Sequence, residues 1–225
     1  MQSEFNYLMY KKNITRFLIF LFILTISGTA SAQFKLGASV SLNNTSFGGV
    51  PPDNANYTSI IGLGGSLLID LKLVKDVYLS LQPGYQSVGA DVNFGNENNI
   101  FNDTVKTYKI RLGYFSIPLN LKIYHNNIYA GGGFTVGFLS SATLTDEFRG
   151  GESEIKDKFK DIDLLWNFNV GYKVSIGKPD LFFELRYLQG LLNINDQNSF
   201  ASGNEYLSNF KNKGFSLITG ILYPL

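Results

Sequence analysis

Eight charged residues stand within stretches where every second side chain is apolar: Lys35, Asp70, Lys72, Lys122, Asp163, Lys173, Glu184 and Arg186. Asn120, Asn167, Asn169, Gln82 and Gln86 share their phase. Charges placed so regularly opposite an apolar face need water or partners, because an unpaired charge is costly to bury. Their chemistry is mutual pairing bridged by amides. The spacing predicts a plugged polar interior centred on Glu184 and Arg186, with partners from neighbouring strands such as Lys173. Catalytic chemistry has little to build on. The single histidine, His125, falls in a short polar turn, whereas a hydrolytic site needs a base beside its nucleophile. Gly131, Gly132 and Gly133 lack the Gly-Lys-Ser/Thr ending of a phosphate loop and read as room for large neighbours. The acidic and basic residues of 145–161 are mixed in sign, as in a solvated loop. No catalytic residue, cofactor or metal site is expected, and the chain does not read as an enzyme.

The elements that position these charges are strands. From Ile162 to Ile176 the apolar residues are Ile162, Leu164, Trp166, Phe168, Val170, Tyr172, Val174 and Ile176, an unbroken period of two. Such a strand is about twice the usual length of about 5–6 residues. Period-2 segments recur at 33–42, 58–72, 77–91, 105–123, 127–143, 162–176, 181–192 and 212–223. Short turns at 72–76, 124–126 and 177–180 alternate strictly with long polar connections at 43–57, 92–104, 144–161 and 193–211. This predicts an all-β fold: an eight-stranded antiparallel up-and-down transmembrane β-barrel, short turns on the periplasmic side and long loops outside. In the fourth segment the apolar phase flips near Gly113–Phe115. Either a β-bulge lies there, or the outer half of that strand rises above the membrane and needs no lipid face. Pro118, which lacks a ladder donor, is a second place for a local defect.

The N-terminus sets the compartment. Lys11, Lys12 and Arg16 precede an apolar run over 17–26, and Ala30-Ser31-Ala32 fits a signal-peptidase site. Residues 1–32 are read as a secretory signal peptide cleaved near Ala32, and 33–225 as the barrel of a Gram-negative cell outer membrane. The sequence contains no cysteine, which excludes a lipid anchor on cysteine and disulfides. Loss of Lys11, Lys12, Arg16 and Glu4 takes 19 basic and 18 acidic residues to 16 and 17, so no basic field points to nucleic acid. The 23 glycines, 19 phenylalanines and 13 tyrosines suit a membrane barrel.

Specific motifs carry a resemblance. The stretch Tyr114-Phe-Ser-Ile-Pro-Leu-Asn-Leu-Lys122 is similar to the aromatic-x-x-Ile-Pro-Leu-x-x-Lys strand of PorT-like outer-membrane β-barrel domains. Residues 127–134 resemble that family's next strand, and 181–194, with Arg186-Tyr187 and Gly190-Leu191, its penultimate one. The resemblance implies an eight-stranded outer-membrane barrel, some of whose relatives assist a secretion machine. Gly220, Tyr223 and Leu225 resemble the C-terminal signal read by the barrel-assembly machinery, departing from it in ending on Leu225 instead of an aromatic.

The expected role is structural or interactive, through outer loops or within an outer-membrane assembly or secretion system. The partners are then outer-membrane lipid, the barrel-assembly machinery and an unknown protein, with no nucleic acid. Two alternatives stand: a narrow pore for ions or small solutes, and a soluble lipocalin-like ligand-binding barrel whose apolar face would point inward.

Overall fold

A strand whose two faces differ in polarity must put one against lipid and the other into the barrel. The computed structural model describes residues 34–51, 54–95, 106–147, 149–195 and 210–225. The signal peptide expected at 1–32, with its cleavage after Ala32, lies outside the described residues.

Among the described residues ten strands follow one another: β1 (Phe34–Gly48), β2 (Ala55–Val74), β3 (Val77–Leu81), β4 (Gly84–Phe94), β5 (Lys106–His125), β6 (Ile128–Asp146), β7 (Gly151–Glu154), β8 (Ile162–Ser175), β9 (Asp180–Gly190) and β10 (Lys211–Pro224). They make eight wall positions. β3 and β4 are one wall strand interrupted at Gln82-Pro83, where proline supplies no N–H. The register with β5 runs on across the gap, Leu81 opposite Leu119 and Gly84 opposite Ser116. β7 is a short hairpin arm on the outer end of β6. All pairings are antiparallel between chain neighbours, and β1 closes the ring against β10, Ala38 opposite Ile221. Closure leaves no free edge in the ring itself. No helix among the described residues is long and apolar enough to cross a membrane.

The turns at the short end use residues that tolerate a left-handed backbone: Asp76 (φ 63°), Asn126 (φ 54°) and Gly177 (φ 73°). Outward positions are apolar and exposed. They include Leu36, Val40, Ile61, Leu63, Ile128, Phe134, Phe168, Val170 and Leu185. Tyr85, Phe115 and Phe138 form one cross-strand row of exposed aromatics, continued by Ile162. Trp166, Tyr187 and Phe215 stand in a second line, with ring centroids 5.5 and 5.1 Å apart. Phe34, Tyr172, Phe183 and Tyr223 lie exposed towards the short-turn end. Aromatic rims around an apolar band are what lipid-exposed barrels carry.

Beyond the Tyr85–Phe115–Phe138 row, β4, β5 and β6 continue, and their outer face turns polar: Asn93, Thr107, Lys109, Arg111, Thr143 and Thr145. Thr107 Oγ1 donates to Asn93 Oδ1 (2.7 Å), Asn93 Nδ2 donates to Thr58 Oγ1 (2.9 Å), and Lys109 pairs with Glu147 at 2.6 Å. This part of the wall has no lipid face and projects above the membrane.

The phase flip in β5 has a different origin from a bulge in that strand. Ile110, Leu112, Tyr114, Ser116, Pro118, Asn120 and Lys122 all face inward in unbroken alternation. The bulge sits on the partner strand: Gly113 pairs with Ser141 and Tyr114 with Leu139, leaving Ser140 as the extra residue of β6. The apolar residues change parity because the lumen changes character, polar below and apolar above. Pro118 stays in register opposite Thr135, so it adds no defect of its own to β5. Ile110, Leu112 and Tyr114 join Phe47, Val88, Ala90, Val92, Leu139 and Ala142 in an apolar core at the outer end. Residues of the long connections seal it. The Phe210 ring stacks on Phe47 at 5.0 Å and lies 6.1 Å from Phe159. Lys160 N donates to Ile194 O (2.7 Å) and Ile194 N to Phe210 O (2.8 Å).

Candidate functional site

Below the apolar cap the lumen is polar. At its centre Glu184 of β9 accepts hydrogen bonds from Arg186 and Tyr129 and pairs with Lys122. Arg186 Nε donates to Oε1 at 2.9 Å, and Arg186 Nη2 donates to the same oxygen. Tyr129 Oη donates to Oε2 at 2.7 Å, and Lys122 Nζ lies 3.2 Å from that oxygen. Arg186 Nη2 also donates to Gln82 Oε1, tying the cluster to the wall break after β3. Lys122 is 0 % exposed, Glu184 3 % and Arg186 4 %. The Lys122 ammonium sits 5.0 Å from the Tyr129 ring centroid and 5.7 Å from that of Phe182, within cation–π range.

Glycines make room for these long side chains. A Cβ on Gly171 would come within 2.2 Å of Tyr129, and one on Gly131 within 3.1 Å of the Lys122 stem. Gly131 faces Lys122 across the β5–β6 ladder, and Gly171 faces Glu184 across β8–β9.

Lys173 does not serve Glu184. It pairs with Phe182 in the β8–β9 register, two residues nearer the short-turn end. From there it reaches Asp180, 3.4 Å away, which Lys35 also meets at 2.8 Å and Ser175 Oγ at 2.6 Å. Lys122, from across the lumen, takes the place expected of Lys173. The second cluster lines the mouth at the short-turn end, Lys35 over Tyr78 and Lys173 over Tyr124.

The remaining charged positions are scattered. Asp70 is buried, with neither carboxylate oxygen hydrogen-bonded among the described residues. Lys72 is half-buried beside the short-turn end. Asp163 is buried higher up, where Asn212 Nδ2 donates to its Oδ2 at 2.8 Å. Asn167 donates to Thr135 Oγ1 (3.3 Å) and accepts from Asn169 (3.4 Å). His125 is exposed at the end of β5. Gly220 packs inward beneath the Phe182 ring. Tyr223 and Leu225 are exposed at the end of β10, and Leu225 N donates to Phe34 O at 2.9 Å.

Tyr129, Asp180, Asn212 and Tyr114 were absent from the sequence-derived cluster. Asp180 shares the phase of Glu184 and Arg186, and that parity was the available signal. Tyr129 lies in phase with Gly131 and Gly133, an inward aromatic beside inward glycines. No group of three or more His, Cys, Asp or Glu among the described residues is placed to hold a metal ion. Ser39, Ser66, Asn43, Gln82, Ser116 and Ser216 border a lumen cavity of about 30 Å³, room for about one or two waters.

An antiparallel ring of eight wall positions, lipid-compatible outside and polar inside, defines a transmembrane barrel of the outer-membrane type. A soluble lipocalin-like barrel has the opposite arrangement. The chain belongs to the outer membrane protein β-barrel domain family, whose model matches residues 27–196. Among solved structures it is similar to Ail of Yersinia pestis, crystallised with the heparin analogue sucrose octasulfate, at 9 % identity and TM-score 0.44, covering 86 % of this chain and 99 % of that one. Neisserial surface protein A aligns at 12 % identity and TM-score 0.44 over 84 % and 96 %. OprG of Pseudomonas aeruginosa aligns at 15 % and 0.42 over 86 % and 96 %. Comparison with curated proteins finds no match. The protein resides in the outer membrane.

Proposed function

We propose that this barrel is a non-enzymatic, non-conducting outer-membrane protein that acts by interaction, through the wall and connections projecting above the membrane. The observation that carries this reading is the filled lumen. Charge clusters on Asp180 and Glu184 cross its lower half, and the apolar core around Phe47 and Phe210 closes its outer half. An eight-stranded barrel has just enough interior for its side chains, and here they occupy it. The polar outer face of β4, β5 and β6 and the exposed arm β7 offer a partner hydrogen-bonding groups clear of lipid.

The finer reading is a PorT-like member that assists an outer-membrane assembly or secretion system, supported by Tyr114-Phe-Ser-Ile-Pro-Leu-Asn-Leu-Lys122 and the motifs of β6 and β9. Two experiments test the proposal. Purified protein in planar bilayers is expected to carry no steady current, and a reproducible open channel refutes the closed lumen. Cross-linking from outer membranes through a photoreactive residue at Thr145 is expected to capture a discrete protein partner. Recovery of uncross-linked barrel alone refutes the interaction role.

A further inference from the structure

Two lysines stand on the outer face of β10 where the lipid band ends. Lys211, Lys213, Phe215 and Leu217 alternate outward, while Asn212, Ser216 and Ile218 are buried on the lumen side. Phe215 belongs to the aromatic line with Tyr187 and Trp166. Lys213 therefore lies one outward position beyond that line and Lys211 two. The Lys213 stem rises further. A Cβ on Gly48 would come within 3.3 Å of its Cδ and 3.8 Å of its Cε, and Gly48 is the β1 partner of Lys211. The stem thus runs along the wall and carries its ammonium towards Lys211, as lysines at a membrane boundary do. Leu191 and Leu192, just past β9, and Ile162, at the outer end of β8, are exposed apolar residues beyond the same aromatic line. Lipid reaches this level.

Charge shows what covers the pair. The register neighbours of the two lysines are Ser46, Gly48 and Gln189, all uncharged. No ion pair reaches either lysine among the described residues. The other outward basic pair near the outer end, Lys109 and Arg111 of β5, has acids beside it. Glu147 bonds Lys109, Asp91 faces Lys109 across β4–β5, and Glu154 follows Arg111 and Thr143 in register. Residues two apart on one strand face are about 7 Å apart, so two ammoniums can bracket one phosphate. A phosphate monoester carries about −1.5 to −2 charge at neutral pH, which matches two lysines better than the single charge of a diester. We propose that Lys211 and Lys213 hold the phosphate monoester of an outer-leaflet lipid, with its acyl chains against Phe215 and Leu217.

The test uses the protein purified from outer membranes and exchanged into detergent until no lipid remains bound. It is titrated with monophosphoryl lipid A, and adducts are measured by native mass spectrometry. One tight adduct is expected. The double substitution Lys211→Gln/Lys213→Gln is expected to weaken it about thirtyfold, the loss for two lysines at a charged lipid surface. Lys75→Gln/Lys178→Gln, which removes two exposed lysines at the short-turn end, is expected to leave the affinity unchanged. Equal affinity of the wild type and the β10 variant overturns the proposal, and so does an equal loss in the short-turn variant. Phosphatidylglycerol binding as tightly as lipid A overturns the monoester assignment. If the β10 variant does not fold, the wild type decides: the same glycolipid without its phosphate is expected to bind about as weakly as lipid A does to the variant, and equal binding of the two glycolipids refutes the site.

Discussion

Replacing Glu184 by glutamine and Lys122 by methionine should have very different consequences, although the two residues are partners. At 3.2 Å, one full charge pair at an effective dielectric of about 20 attracts by about 5 kcal/mol. Glu184→Gln removes the anion that two buried cations share and leaves Lys122 and Arg186 facing each other. Breaking a buried pair in this way costs about 3–5 kcal/mol. Lys122→Met removes one cation and leaves Glu184 forked to Arg186 and hydrogen-bonded by Tyr129, a neutral set. The lost attraction is offset by the ammonium's desolvation, itself several kcal/mol, and by relief of its repulsion from Arg186. The methionine stem lies along the path of the lysine stem, past Gly131 and the Tyr129 and Phe182 rings. The net cost of Lys122→Met is expected below about 2 kcal/mol. Urea unfolding in lipid vesicles, followed by tryptophan fluorescence from Trp166, measures both. A Glu184→Gln cost equal to or smaller than that of Lys122→Met would refute the view that Glu184 is the shared counter-ion of a dry cluster.

Gly171→Ala, whose new methyl would lie 2.2 Å from the Tyr129 ring, should displace Tyr129 from Glu184 and lower the unfolding midpoint. Gly132→Ala, with only Asn167 O near at 3.2 Å, should be the milder change, and the reverse order would contradict the inward and outward assignment. Val170→Arg, on the lipid face between the aromatic rims, should lower stability in vesicles by about 2–4 kcal/mol. A value near zero would place that face in water. Because the chain has no native cysteine, single substitutions report topology cleanly: Glu152→Cys should react with an impermeant maleimide on intact cells and Asp76→Cys should not, and the opposite pattern would invert the barrel.

Much of the wall was legible because lipid imposes a period of two that no other environment sustains over so many residues. Ile162 to Ile176 and Phe34 to Leu42 gave their outward faces directly, and the alternation of short and long connections gave the up-and-down order. The outer ends of β1, β2 and β6 ran several residues further than the amphipathic pattern. Above the membrane the outer face is free to be polar, so the pattern that marks a strand in lipid fades there. The β6 bulge was hidden for a related reason: apolar residues in β5 signalled a change in the lumen instead of a change in the strand.

By itself the sequence determined the compartment, the wall and the phase of each lumen charge, because those depend on local alternation against lipid. Which charges meet is another matter. Lys122 reaches Glu184, and Lys173 reaches Asp180, because the stagger of the closed ring sets the height of each side chain. That stagger is a property of all eight wall positions at once. So is the meeting of Asn212 of β10 with Asp163 of β8, which no single segment encodes.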